Sequence, residues 1–367
     1  MTVSKILADL RDDLAKRIAH RDKPPALQPL PISPYLAMAL LQKSVRRSRV
    51  DLALRAAATL LVDAPERLWR RCGGVAFEDI GLANPEALGL VTVALGGKRV
   101  RGDLGGEWAV ASFIVEAMAK ANKCRAADDL LMSAELHPAF APVRQAQAAL
   151  SNDELRQTIL NSARLHERAL ALWFLLGTDR RPSGHLAMRR GQPALAFDVL
   201  HELGVPSILV EIAREGFGKT GEVLCPFVAL LVVDGPSGTS VIQDDEFPAQ
   251  IMIGDIPSWA LDVYSREGRA AYARFLQTDS ASARWIRGHV SPGRQVGLLG
   301  HFVFRLEGGL VRNRMRWKLG DELRRQVDVE CAGINRRDAL EIMDLVRADI
   351  PMLNQVRAQL NPGRRDD

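Results

Sequence analysis

Two stretches carry the residue types of a nucleotide site: GFGKT, from Gly216 to Thr220, and LLVVD, ending at Asp234. A phosphate-wrapping loop needs a glycine five residues before its Gly-Lys pair, so that the backbone can close around the anion. Ala213 holds that place here. The segment after Gly221 reads as turning toward a strand, so the helix that must follow such a loop is missing. Lys219 and Asp234 also stand too close for the helix and strands of a nucleotide-binding core. ATP binding is not expected, and no cofactor is expected.

Glu78 and Asp79 are adjacent carboxylates of the kind used in acid–base work. They follow Arg70 and Arg71 by one to two turns and precede Gly81 at a helix end. That placement favours ion pairing and capping. Asp262 and Arg266 stand four apart, the spacing of a pair across one helical turn, within a charged face that includes Asp255, Glu267 and Arg269. The seven histidines show no HxxxH or HExxH spacing, and no GxSxG elbow is present. No metal ligand and no catalytic residue is assigned.

Two basic groups remain. Lys43, Arg46, Arg47 and Arg49 sit at the junction of two helices, where either a solvated turn or a phosphate contact fits. Arg312, Arg314, Arg316 and Lys318 alternate beside Trp317, and alternation along a strand puts cations on one face. Such a row tracks phosphates while the aromatic stacks on a base. A basic edge strand that resists aggregation has the same pattern.

The elements that position these residues are mostly helical. Ile6, Leu10, Leu14 and Ile18 mark an amphipathic helix, followed by a Pro-rich linker to Pro34. Ser33-Pro34 and Asn84-Pro85 are cap-plus-proline starts, and Ser151 with Glu154 forms a capping box whose helix should reach Leu176 and stop at Gly177. Residues 190–216 read as two helices broken at Gly204-Val205-Pro206, and residues 257–277 and 337–360 as helices. Phe227 to Val233 and Leu298 to Leu306 are candidate strands. The tail NPGRRDD is polar and expected to fray. The expected domains are a helix over 1–22, a linker over 23–34, a bundle over 35–150, a helical middle over 151–245 and an α+β region over 246–367.

A length of 367 residues, 47% hydrophobic and 25% charged, suits a globular chain with more than one core. The net charge of +5 is compatible with nucleic acid. The scattered Cys72, Cys124, Cys225 and Cys331 suit buried thiols rather than a zinc site. No signal peptide or membrane span is read, so no membrane partner and a cytoplasmic location are expected.

Three segments carry a resemblance. LQKSVRRSRVDLAL follows an LxKSxRGSxxDAAL pattern. RRCGGVAFEDIGLANPEA follows RRxxxxASEDxGxADPxA at Arg70, Arg71, Ala76, Glu78, Asp79, Gly81, Ala83, Pro85 and Ala87. More weakly, GGEWAVASFIVEAMAKANKCRAA follows a helix ending in PKSNA, of which NKCRA keeps Lys123. Residues 36–140 thus resemble the collar domain of the replication-associated recombination protein A family, clamp-loader-like AAA+ ATPases. An aromatic pair of that family is replaced here by Arg55-Ala56.

The resemblance implies helical packing and oligomerisation through the collar, and it transfers no catalytic residue. A motor would come in trans, from an AAA+ partner, or its activity is lost. The expected fold is mainly α: a collar-like helical bundle followed by an α-rich C-terminal domain with a few strands. The expected function is a non-catalytic accessory role in DNA replication or recombination, docking or oligomerising through the collar and touching DNA through the basic segments. A pure protein–protein adaptor and an enzyme with its site in residues 180–310 are the alternatives.

Overall fold

Helix starts follow the capping side chains in the computed structural model, which describes residues 5–21, 23–235 and 240–360. The Ser33 hydroxyl accepts from the Leu36 amide at 3.3 Å and opens the Pro34–Arg46 helix. Asn84 does the same for Pro85–Ala94, accepting from Ala87 at 2.9 Å. Ser151 and Glu154 exchange both bonds of a capping box. The tail NPGRRDD lies outside the described residues.

The fold is mainly α, with nineteen α-helices among the described residues. Both candidate strands are helical. Phe227 to Val233 belongs to the Leu224–Val233 helix, and Leu298 to Leu306 to the Pro292–Val303 helix and the π-helical turn Phe304–Gly308. An apolar run signals burial, and burial alone does not separate a strand from a helix inside a core. GFGKT is likewise the last turn of the Ser207–Thr220 helix, closed by left-handed Gly221, and is no phosphate loop.

The helix opened by Ser151 ends at Asn161, and a second, Leu165–Leu176, carries the chain to Gly177. Residues 257–265 hold only a 3-10 turn, Ser258–Ala260, and the α-helix begins at Arg266. Asp262 therefore precedes the helix and does not share a helical turn with Arg266.

Two small antiparallel ladders complete the secondary structure. Val241–Gln243 pairs with Arg314–Arg316, and Met252–Ile253 with Ile256–Pro257. Lys123 flanks the other side of Arg314–Arg316, donating to Asn313 and accepting from Met315. That strand is therefore enclosed rather than an edge.

Apolar side chains form two cores. The larger runs from Leu14 to Leu261 and takes in Trp317 and Leu323. In it the Lys5–Ala19 helix packs on Pro85–Ala94 and Ser207–Thr220 through a fully buried Leu14. The smaller core lies where Arg266–Phe275, Ala281–His289 and Pro292–Val303 surround the long Arg336–Ala358 helix. No described helix is long and apolar enough to cross a membrane.

Candidate functional site

The two cores meet across a network of buried ion pairs built from the sequence motifs. Glu78 and Asp79 lie in a π-helical turn, Ala76–Ile80, which continues the Pro65–Val75 helix. Such a turn adds a residue to the α-repeat and re-aims its side chains. Gly81 ends it at φ +49°, and a Cβ there would lie 2.5 Å from the Cys124 carbonyl oxygen. Only glycine allows this approach, which lets the Cys124 amide donate to Asp79 and Ile80 at 2.9 and 3.1 Å. FEDIG and NKCRA thus pack directly on each other.

Arg46 donates to Asp79 at 2.8 Å, to Glu78 at 2.6 Å and to the Gly308 carbonyl at 2.7 Å. Arg125 donates to Asp79, to Glu78 at 3.2 Å and to Asp128. Arg305 joins Asp129 at 3.0 Å and Asp328. The guanidinium carbons of Arg46, Arg125 and Arg305 all lie 5.2 to 5.8 Å from the centre of the Phe304 ring. An aromatic face attracts cations, so this ring helps three like charges share one region.

Beside the network lies a cavity of about 580 Å³. Gln42, Lys43 and Arg71 line it from the bundle, and Asp262, His301 and Arg305 from the far side. The Lys43 ammonium bonds Asp262 at 2.5 Å, directly joining the two halves. Burial lowers the Lys43 pKa below the lysine range, against the pull of Asp262. Burial, followed by Arg305, lowers His301 to about 4, leaving a neutral ring whose Nε2 has no hydrogen-bond partner among the described residues.

Glu78 and Asp128 are bridged by Arg125 and shift in opposite directions. Burial alone would raise Glu78, but Arg46, Arg125 and Gln42 hold it at about 2. Burial pushes Asp128 up to about 7; Arg125 opposes this, and Glu78 and Asp129 add to it. Between its unfolded value of 3.8 and about 7 the folded chain holds one more proton at Asp128. This group therefore makes stability fall as pH rises through that window and then level off. Asp128→Asn should flatten that part of the profile, measured as urea midpoints from pH 4 to 8; an unchanged profile contradicts the assignment.

No family model, curated protein or solved structure matches this chain.

The expected site residues divide sharply once placed. Lys43, Arg46 and Arg47 are buried and internally engaged; Arg47 donates to the Glu307 carbonyl at 3.1 Å beneath Phe247 and Trp259. They form neither a solvated turn nor an open phosphate site. Arg49 is half-buried and pairs with Asp51. Arg314 is buried on Asp245, at 2.8 Å, and Arg316 bonds Asp321 at 3.0 Å. Trp317 is 7% exposed with its indole against Gly320, so it offers no face to a base. Arg312 and Lys318 remain exposed.

Arg70 is exposed, and Arg71 reaches Glu78 only through Gln42, at 2.8 Å on each side. Glu78 and Asp79 are ion-pair residues as expected, but with Arg46 and Arg125 as partners. Pro85 starts its helix as the motif implies.

Sequence reasoning did not single out Arg125, Asp128, Asp129 or Arg305. Their signal was local: CRAADD places a cation and two carboxylates within one turn, and Arg125 occupies a position where the collar pattern has asparagine.

Proposed function

We propose that this chain is a non-catalytic accessory protein of DNA replication or recombination, in which a collar-like bundle docks or self-associates and a basic C-terminal region contacts DNA. One observation carries the reading. Lys43, Arg46, Glu78 and Asp79 of the bundle are consumed in internal pairs, while residues 266–360 hold 17 Lys and Arg against 11 Asp and Glu. That excess exceeds the +5 of the whole chain. The likeness of residues 36–140 to a clamp-loader-like collar supports the replication setting, with an AAA+ protein as a partner in trans.

Sedimentation of the full chain, alone and with a single-stranded oligonucleotide at about 50 mM salt, tests the reading. The chain should self-associate at micromolar concentration and carry the DNA with it. A monomer that leaves the oligonucleotide behind contradicts both halves.

A second reading has its own support. Two carboxyl groups pushed apart in acidity within one cavity are the arrangement of a general acid beside an ionised partner. In this enzyme reading Asp128 is the acid and Glu78 the carboxylate.

A further inference from the structure

Residues 266–294 contain six arginines and two acidic residues, Glu267 and Asp279. Their excess of four positive charges falls within 29 residues of a chain whose total is +5. Helical spacing puts them outside. On Arg266–Phe275 the buried residues are Gly268, Ala271, Tyr272 and Phe275, which leaves Arg266, Arg269 and Arg274 on the exposed side. On Ala281–His289 the buried residues are Ser282, Ala283 and Ile286, which leaves Arg284 and Arg287 exposed. Arg294, in the first turn of the next helix, is exposed as well.

Three of these side chains are held, not merely extended into water. Arg269 Nε donates to the Val263 carbonyl at 2.7 Å, Arg287 to that of Thr278 at 2.8 Å and Arg294 to that of Gly333 at 3.2 Å. A carbonyl fixes a guanidinium without neutralising it. The remaining donors then form a positioned fork suited to a phosphate. Arg269, Arg274, Arg287 and Arg294 have no carboxylate partner among the described residues, whereas Arg284 reaches Asp279.

An aromatic platform adjoins them. The His289 ring stacks on Trp285 with centroids 4.4 Å apart and planes 17° from parallel. Its Nδ1 is 2.8 Å from the Trp285 carbonyl, which sets the ring's orientation. His289 is exposed, so the stack ends in an open imidazole face. Cations that follow a backbone beside an aromatic that extends a base stack are the two components of single-strand recognition. A duplex keeps its base faces covered and would use only the first.

We infer that the arginine face of residues 266–294, with the Trp285–His289 stack, binds single-stranded nucleic acid. This rests on the DNA reading above and moves the contact away from the 312–318 row. Both helices present these residues opposite the core, so their substitution leaves the packed residues unchanged.

Fluorescence anisotropy of the full chain with a dT oligonucleotide, an abasic strand of equal length and a duplex tests it. Arg269→Gln, Arg274→Gln and Arg294→Gln together should weaken dT binding about tenfold or more and flatten the log–log salt slope by about 2, at roughly 0.7 per phosphate. His289→Ala should weaken dT binding about tenfold and leave the abasic strand unaffected. Arg312→Gln with Lys318→Gln should bind as wild type. If wild type binds and the triple variant matches it, the inference fails while the DNA reading stands. Tighter binding to the duplex, or to phosphatidylserine vesicles, overturns the single-strand assignment. If wild type binds no DNA at low salt, the DNA reading itself fails.

Discussion

Asp79→Asn is expected to destabilise the chain by about 3–5 kcal/mol, the usual cost of removing one partner from a buried ion pair. Asp79 has no exposed surface, and Arg46 and Arg125 are each 2% exposed. Its Oδ1 accepts from both guanidinium groups. The asparagine has nearly the same shape, so packing is kept while two buried cations lose the carboxylate they share, leaving Arg46 to Glu78 and Arg125 to Glu78 and Asp128. Glu78→Gln should cost less, because the Glu78 side chain retains 20% exposure and water can compensate. Urea unfolding at neutral pH measures both. A loss for Asp79→Asn below about 1 kcal/mol, or smaller than that of Glu78→Gln, would show that the pairs do not hold the two cores together.

Glu307→Gln is the second large effect, again about 3–5 kcal/mol. Glu307 and Arg357 form a two-pronged pair at 2.8 and 3.1 Å, with side chains 2% and 0% exposed. Arg357 anchors the long C-terminal helix, and Glu307 lies in the π-helical turn that also supplies Arg305. Neutralising one partner strands the other charge where water cannot reach it. Replacing both, as Glu307→Leu with Arg357→Met, removes the desolvation cost along with the attraction. The double variant should therefore recover most of the loss, and urea midpoints of the three chains decide the matter. A double variant as unstable as Glu307→Gln would mean that the pair's hydrogen bonds to Asn354 and Tyr272 matter more than its charge.

Helix starts were legible because Ser33, Asn84 and Ser151 act on amides only three residues away. The ion-pair network was not, because its partners are distant in sequence. Lys43 and Asp262 are 219 residues apart, and Arg46 and Gly308 262. Local spacing made the VRRS cations look like a surface turn, whereas tertiary packing buries them.

The three π-helical turns among the described residues were also invisible. They supply Glu78 and Asp79, then Arg305 and Glu307, then Asp328 and Glu330, and a single added residue in a turn leaves no periodic mark. Apolar runs misled for a related reason: residues 224–231 are all buried, so neither a twofold nor a helical period shows. The arginine face was legible in a count of charges over residues 266–294. The alternating cations at 312–318 drew attention away from it, and two of those four are engaged with Asp245 and Asp321.

The most direct test of the account is the salt dependence of the full chain's affinity for a single-stranded oligonucleotide. Binding should be measurable at about 50 mM salt and weaken steeply toward 200 mM, as phosphate contacts release counterions. No binding at low salt, or an affinity that salt leaves unchanged, would contradict it.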